Sequence, residues 1–368
     1  MSNLHGIILG YNGDENLREL TEARTTASVP FCARYRIIDF LLSTLVNAGV
    51  DDIGIILQES YQSLLDHLGA GREWDLSRKN GGLKLLPPFS TGRNRGAGFA
   101  GGMDALLSVR SYIERIRKDY VFIARGNTIA SFDLGAVLEN HIYSGADVTA
   151  ICVHESSELR SEIRLVFRED GFARDMLLGG DLGDGLVGTG MYIMSTKRLL
   201  ALMDECAVSG EPSFSRALKS SIDRLKIMNY IVNDFIARPN SVAQYYRLSM
   251  KLLDAEVRAS LFPKGRPVLT KLRDEAPTYY APGAAARNCL VADGCYIEGE
   301  AENCIIFRGV KIAKGARVRG CILMQDTVVG EDTVLDGIIT DKNVVIGKNR
   351  TFIGSPEYPT VIAKGTVL

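Results

Sequence analysis

The 368-residue chain is 46% apolar and 8% aromatic, with 43 Lys and Arg against 44 Asp and Glu. That length gives room for two domains with separate cores, while a net charge of −1 lacks the basic footprint of a nucleic-acid binder. No apolar run approaches the roughly 18 residues of a membrane span, and no basic or long apolar leader precedes the first strand. With seven cysteines and no C-x-x-C pair, a cytoplasmic protein with reduced thiols is expected.

The first element is an apolar run from Gly6 to Leu9 that breaks at Gly10. Such a strand usually opens a doubly wound sheet, and the loop after it commonly holds phosphate on backbone N–H groups. Here the loop carries Gly10 and Gly13 but also Asp14 and Glu15, with no lysine. It has the position of a phosphate loop and the wrong charge for one. Apolar residues at Ile37, Ile38, Leu41, Leu42 and Leu45 predict a helix over residues 37–47, followed by a buried strand over 53–57. Residues 61–68 again have helical spacing, and residues 69–102 are polar, Gly- and Arg-rich and aperiodic, as in a long functional loop. A helix over 103–117 is followed by strands over 120–124, 146–153 and 191–194. Helical patterns then fill 197–203, 215–225 and 242–258. Strands alternating with helices predict an α/β, Rossmann-like domain with a mainly parallel sheet and right-handed crossovers. His5, His67, His141 and His154 show no metal-ligand spacing.

Beyond Pro277 the chain repeats itself. Copies beginning at Val291, Ile312, Val329 and Ile346 align with one another, each with an aliphatic or aromatic residue six positions in. The last three begin at equal intervals, and the first stands somewhat further off. Six-residue steps of this kind predict a parallel β-helix with one coil per three steps. Cys304, Cys321 and Ile338 then fall one coil apart, as inward packing residues, because free Cys behaves as a small hydrophobe. The expected division is an α/β domain over residues 1–250, a linker over 251–278 and the β-helix over 279–368.

This order of elements resembles the bacterial glucose-1-phosphate adenylyltransferase (ADP-glucose pyrophosphorylase) family over nearly the whole chain. The matches include Leu20-Thr21, Arg24, Val29-Pro30-Phe31, the run from Tyr35 through Arg36 and Asp39 to Ser43, Trp74-Asp75-Leu76, His141 with Gly145-Ala146-Asp147, and Gly190-Met191-Tyr192-Ile193. The resemblance implies a nucleotidyltransferase domain followed by a left-handed β-helix of hexapeptide repeats. It also implies chemistry joining ATP and glucose 1-phosphate into ADP-glucose and pyrophosphate with Mg²⁺. The departures fall on that chemistry. The family's loop arginine aligns with Asn16, and the lysine of its R-A-K-P element aligns with Thr26. The metal aspartate of S-G-D-H-I-Y aligns with Asn127 and the second metal aspartate with Arg238. Its E-K-P element has no counterpart between Phe172 and Gly188, and its D-F-G-K appears as Ser213-Phe214-Ser215-Arg216.

Mg²⁺ prefers carboxylate and phosphate oxygens, and phosphoryl-type transfer relies on cations that neutralise developing charge. The expectation is therefore no catalytic residue, no metal and no cofactor. The chain is similar to the D-type, non-catalytic subunit of the enzyme of Gram-positive bacteria. That likeness implies pairing with the active catalytic subunit in a mixed tetramer for glycogen biosynthesis, with self-association as a further option. Two alternatives stand beside it. One is a weakly active adenylyltransferase using Asp39, Asp104 or Asp234 as substitute ligands, and the other is a stand-alone sensor of sugar phosphates or nucleotides. Arg24, Arg34 and Arg36, with Arg93 and Arg95 in the long loop, are the candidates for holding an anionic effector.

Overall fold

The computed structural model describes residues 2–10, 16–87, 98–154, 159, 163–179 and 186–368. Gly13, Asp14, Glu15, Arg93 and Arg95 lie outside these. The N-terminal domain is built on a nine-stranded sheet. Its strands are β1 (Leu4–Leu9), β2 (Asp52–Ile56), β3 (Gly82–Leu86), β4 (Tyr120–Arg125), β5 (Val148–Val153), β6 (Ile163–Phe167), β7 (Ala173–Leu178), β8 (Leu186–Ser195) and β9 (Ile227–Ile231). The main path runs β7-β6-β8-β4-β1-β2-β3, and β5 pairs with both β8 and β9.

β1 lies between β2 and β4, parallel to both, because its six residues are apolar enough to be buried on each face. The sheet as a whole is mixed. β8 runs antiparallel to β4, β5 and β6, and β7 antiparallel to β6. The expectation of a mainly parallel sheet therefore holds around β1, β2, β3 and β4, and for β5 with β9.

The helix over Ile37–Asn47 forms as its spacing predicts, and Asp39 closes its first turn by accepting from the Arg36 N–H at 2.9 Å. Several expectations need correction, among them the helix over 103–117, which is two short helices, Gly102–Ser108 and Arg110–Ile113. The aperiodic stretch 69–102 contains β3, whose Gly82–Leu86 strand alternates too weakly in polarity to stand out. The helical pattern 242–258 is two helices, Val242–Lys251 and Ala255–Leu261, because Asp254 caps the second by accepting from the N–H groups of Glu256 and Val257.

The C-terminal domain is a left-handed parallel β-helix of five coils, each giving one short strand to each of three five-stranded parallel sheets. Cys304 lies beneath Cys321 and Cys321 beneath Ile338, all buried, with the backbone N–H of each upper residue facing the thiol below at 3.5 Å. The register of the first coil differs from the self-alignment. Ile312 stacks on Ile297 rather than on Val291, which pairs with Ile306. The second coil, from Tyr296 to its partner Lys311, is two residues shorter than the first and than the two above it, so matching Val291 to Ile312 slips the alignment by one hexapeptide step.

The two domains share one core. Phe31, Phe40, Tyr245 and Leu248 of the first pack with Ile305, Phe307, Ile322 and Ile339 of the second. A strap formed by residues 267–273 is stitched to the N-terminal domain: Asn47 donates to the Pro267 carbonyl, the Leu269 N–H to Ser43, the Thr270 hydroxyl to Asp39 and the Lys271 ammonium to the Asp66 carbonyl.

Candidate functional site

The C-terminal ends of β1 and β4 bring together the segments where the expected catalytic positions fall. The N–H groups of Gly10 and Gly126 donate to the carbonyls of Ile56 and Leu9, both at 2.8 Å. Gly126 is wedged so closely that a Cβ there would meet Ala27 Cβ and the Leu9 oxygen at 3.2 Å and Gly10 Cα at 3.3 Å. Thr26 sits beside it in the short turn Thr26–Ser28, 1% exposed. Asn127 follows at 3% exposure, and Asn16 is held at the rim by its N–H donating to the Asn240 carbonyl at 2.9 Å.

Arg238 enters the same place on a two-stranded ribbon in which Ile236–Ala237 runs antiparallel to Ile129–Ala130. It is 8% exposed, and its guanidinium donates to the Thr128 hydroxyl at 3.3 and 3.4 Å and to the Thr189 carbonyl. Gly190, at φ 74°, lets the chain turn past that guanidinium, which would lie 3.5 Å from a Cβ there. A position where the resemblance expects a metal carboxylate thus holds a fixed cation. A buried positive charge opposes a divalent ion at short range, and the present residues do not fit one. Among the described residues no group of three or more His, Cys, Asp or Glu is arranged to hold a metal.

The substitute carboxylates are committed elsewhere. Asp39 is fully buried and receives the Thr270 hydroxyl and the His67 Nε2–H, each at 2.6 Å. Burial holds the His67 pKa below its usual value, against the pull of Asp39. Asp104 caps a helix by accepting from the Ala100 N–H at 3.0 Å, and Asp234 pairs with Arg266 at 3.0 Å.

A second site lies where the domains and the strap meet. Its cavity is lined by Arg34 and Arg36 from the first domain, Lys271 and Arg273 from the strap, and Arg308 and Lys342 from the β-helix. Asp66 is the only carboxylate among the described residues that line it, with His67 beside it. Arg36 is anchored by donating to the carbonyl and hydroxyl of Ser63 at 2.6 and 2.8 Å. Arg308 is 8% exposed, and its Nε and Nη2 are buried with no hydrogen-bond partner among the described residues. An unpaired buried guanidinium is costly to leave unsatisfied, and six cations around one acid form a socket for an anion. Burial first, then Arg36 and Arg24, pushes the Lys342 pKa down to about 7.

Of the three arginines expected to hold an effector, Arg34 and Arg36 reach this cavity. Arg24 turns to Asp341, with its guanidinium donating to both carboxylate oxygens at 2.9 and 2.7 Å. Lys271, Arg273, Arg308 and Lys342 were not foreseen. One signal was available: Arg308, Gln325 and Lys342 recur at the interval of the coils and stack at one corner of the β-helix.

Residues 5–166 match a family of nucleotidyl transferases, and residues 280–357 match a GlmU-like, C-terminal hexapeptide family. The chain is similar to the glycogen biosynthesis protein GlgD of Bacillus subtilis (strain 168), at 34% identity over 98% of this chain and 96% of that protein. It is 36% identical to the GlgD of Geobacillus stearothermophilus over the same shares of the two chains. It is 29% identical to the glucose-1-phosphate adenylyltransferase of Geobacillus stearothermophilus, over 85% of this chain and 82% of that one.

Proposed function

Because the chain belongs to the GlgD family of glycogen biosynthesis proteins, we propose that it is a non-catalytic regulatory subunit that pairs with the catalytic glucose-1-phosphate adenylyltransferase chain and modulates ADP-glucose synthesis. The observation that carries this reading is Arg238, whose buried guanidinium is hydrogen-bonded to Thr128 and Thr189 in the pocket expected to hold Mg²⁺. With Asn127 in place of the other metal carboxylate and Thr26 in place of the phosphate-binding lysine, the pocket has neither the metal ligands nor the lysine that would neutralise a triphosphate's developing charge. This chain would therefore need no Mg²⁺ and turn over no substrate.

Its regulatory contribution would come from the cationic cavity. An anion there would touch the sheet domain through Arg34 and Arg36, the strap through Lys271 and Arg273, and the β-helix through Arg308 and Lys342. Binding would favour whichever arrangement of the three brings those charges together.

The test compares ADP-glucose synthesis by this chain, by the catalytic adenylyltransferase chain, and by the two co-expressed and purified through a tag on one of them. Expected are no turnover above background for this chain alone, a co-purified complex, and a changed kcat or effector response in it. Robust Mg²⁺-dependent synthesis by this chain alone overturns the reading, and so does the absence of both binding and kinetic effect on mixing.

A further inference from the structure

Two lysines line the cationic cavity, and they are held differently. Lys271 places its ammonium on the Asp66 carbonyl at 2.6 Å. Lys342 is fixed through its backbone alone: its N–H donates to Asp341 Oδ1 at 2.7 Å, and its carbonyl accepts from the Gly365 N–H at 2.9 Å. Among the described residues the Lys342 side-chain nitrogen has no hydrogen bond and no ion pair. The charges around it come from every part that meets at the cavity. Arg34 and Arg36 belong to the first domain, Arg273 to the strap and Arg308 to the same corner of the β-helix, with Asp66 and His67 across the cavity. Arg24 stands close as well, but it is closed off in its pair with Asp341. Arg36 is anchored on the uncharged Ser63, and neither Arg36 nor Arg273 has a carboxylate at ion-pair distance among the described residues.

Such a place disfavours an ammonium and favours an anion. Burial first, then the charges of Arg36 and Arg24, bring Lys342 down to about 7, so about half of the chains carry the free amine at neutral pH. Surface lysines near their ordinary pKa are almost wholly protonated there and have no lone pair to offer. A free amine reacts with dissolved CO₂. The nitrogen lone pair attacks the carbon, an N–C bond forms as one C–O π bond breaks, and the nitrogen gives a proton to water, leaving R–NH–COO⁻. The step needs no oxidant, no reductant and no leaving group. Its product has two carboxylate-like oxygens, which guanidinium groups recognise well. The cavity then holds five cations, Arg34, Arg36, Lys271, Arg273 and Arg308, against two anions, Asp66 and the carbamate.

We propose that Lys342 is a reversible carbamylation site for dissolved CO₂, and that its carbamate is an anion formed in place in the cavity, facing Arg36 and Arg273. The proposal rests on the reading of the cavity as an anion socket and gives that socket a second regulator. A charge-changing modification acts through the pairs it makes and breaks. Here it turns a cation into an acid that ties the β-helix to the sheet domain and the strap. The same change removes one positive charge and adds a negative one where a free anion would bind, so CO₂ opposes anion binding. At fixed dissolved CO₂ the carbamate grows as pH rises through about 7, because the amine is the form that reacts.

The test is ¹³C NMR of the full chain in ¹³C-labelled bicarbonate, with the carbamate trapped by an O-ethylating oxonium salt and located by peptide mass spectrometry. Wild type, Lys342→Met and Arg273→Gln are compared, and circular dichroism checks that each folds. Expected is a trapped ethyl carbamate on the Lys342 peptide with CO₂ present and none in CO₂-free buffer. The carbamate resonance should grow as pH is raised through about 7, and it should weaken by about tenfold in Arg273→Gln, where one neighbouring charge is gone. In Lys342→Met only the carbamate of the terminal α-amino group should remain. Sulfate should bind the wild type more weakly with CO₂ than without it, and Lys342→Met equally in both. A Lys342 peptide without label, label spread evenly over the surface lysines, an undiminished resonance in Arg273→Gln or sulfate binding indifferent to CO₂ overturns the inference. Sulfate bound in CO₂-free buffer with no carbamate formed removes this inference alone, whereas neither sulfate nor carbamate bound removes the anion socket too. Should a variant fail to fold, the wild-type peptide map decides.

Discussion

At the scale of single residues, the pair Arg24–Asp341 is the most exacting feature of the molecule. The two side chains are 4% and 1% exposed, joined by two parallel hydrogen bonds, and 317 residues apart. Replacing one partner strands the other as a buried charge, which costs roughly 3–5 kcal/mol, whereas replacing both by apolar residues of similar size is close to neutral. Urea unfolding of Arg24→Ala and of Arg24→Met with Asp341→Leu checks this. A loss below about 1 kcal/mol for the single variant would refute it. Lys342 sets the pH behaviour of the cavity. Its folded pKa of about 7 lies below its ordinary 10.5, so the unfolded chain binds more protons between those values and this group's contribution to stability rises with pH across that window. Anion affinity has the opposite sign, because the ammonium that attracts the anion is lost as pH rises through about 7. Sulfate keeps its charge across this range, and His67 is held neutral by burial. Calorimetry with sulfate should therefore give weaker binding at alkaline pH in the wild type and a flatter profile in Lys342→Met. Equal profiles would remove Lys342 from the site. Sequence alone pointed to Arg34 and Arg36 as anion ligands, but it could not reveal that Arg24 has an acid to itself, since nothing near Arg24 in the chain marks Asp341.

At the scale of elements, the short hairpin Pro30–Phe31 with Tyr35–Arg36 carries Arg34 and Arg36 to the cavity. Its turn places two residues with side chains in the left-handed region, Cys32 at φ 51° and Ala33 at φ 62°. That conformation costs roughly 1–2 kcal/mol per residue with a Cβ, partly offset for glycine by its larger unfolded-state entropy. Ala33→Gly is therefore expected to stabilise by about 0.5–1 kcal/mol, read as a melting temperature higher by a degree or two. A lower melting temperature would show that the turn is not strained. Cys32, 8% exposed within the shared core, would lose packing on the same change. The helix over Ile37–Asn47 was legible because its apolar face repeats every three to four residues. β3 was not, because an edge strand with one lysine and two glycine neighbours carries no clear alternation. β6, β7 and β9 were missed for a related reason: their half-buried residues alternate irregularly.

At the scale of the whole molecule, the strap and the shared core make the β-helix and the sheet domain one packed unit, so an anion held in the cavity would act on a joint rather than on a surface. The sequence by itself determined the presence of the β-helix and the helix over Ile37–Asn47, because their contacts lie between residues one turn or one coil apart and repeat at a fixed period. It also placed Asn127 and Arg238 at the positions where the resembling family carries metal-binding aspartates. Only the tertiary structure decided that Arg238 is bonded to Thr128 and Thr189, that Arg24 belongs to Asp341, and that six cations from three parts of the chain converge on one cavity. Those contacts depend on how finished elements dock, and docking follows the shape of buried faces, on which local periodicity carries no information.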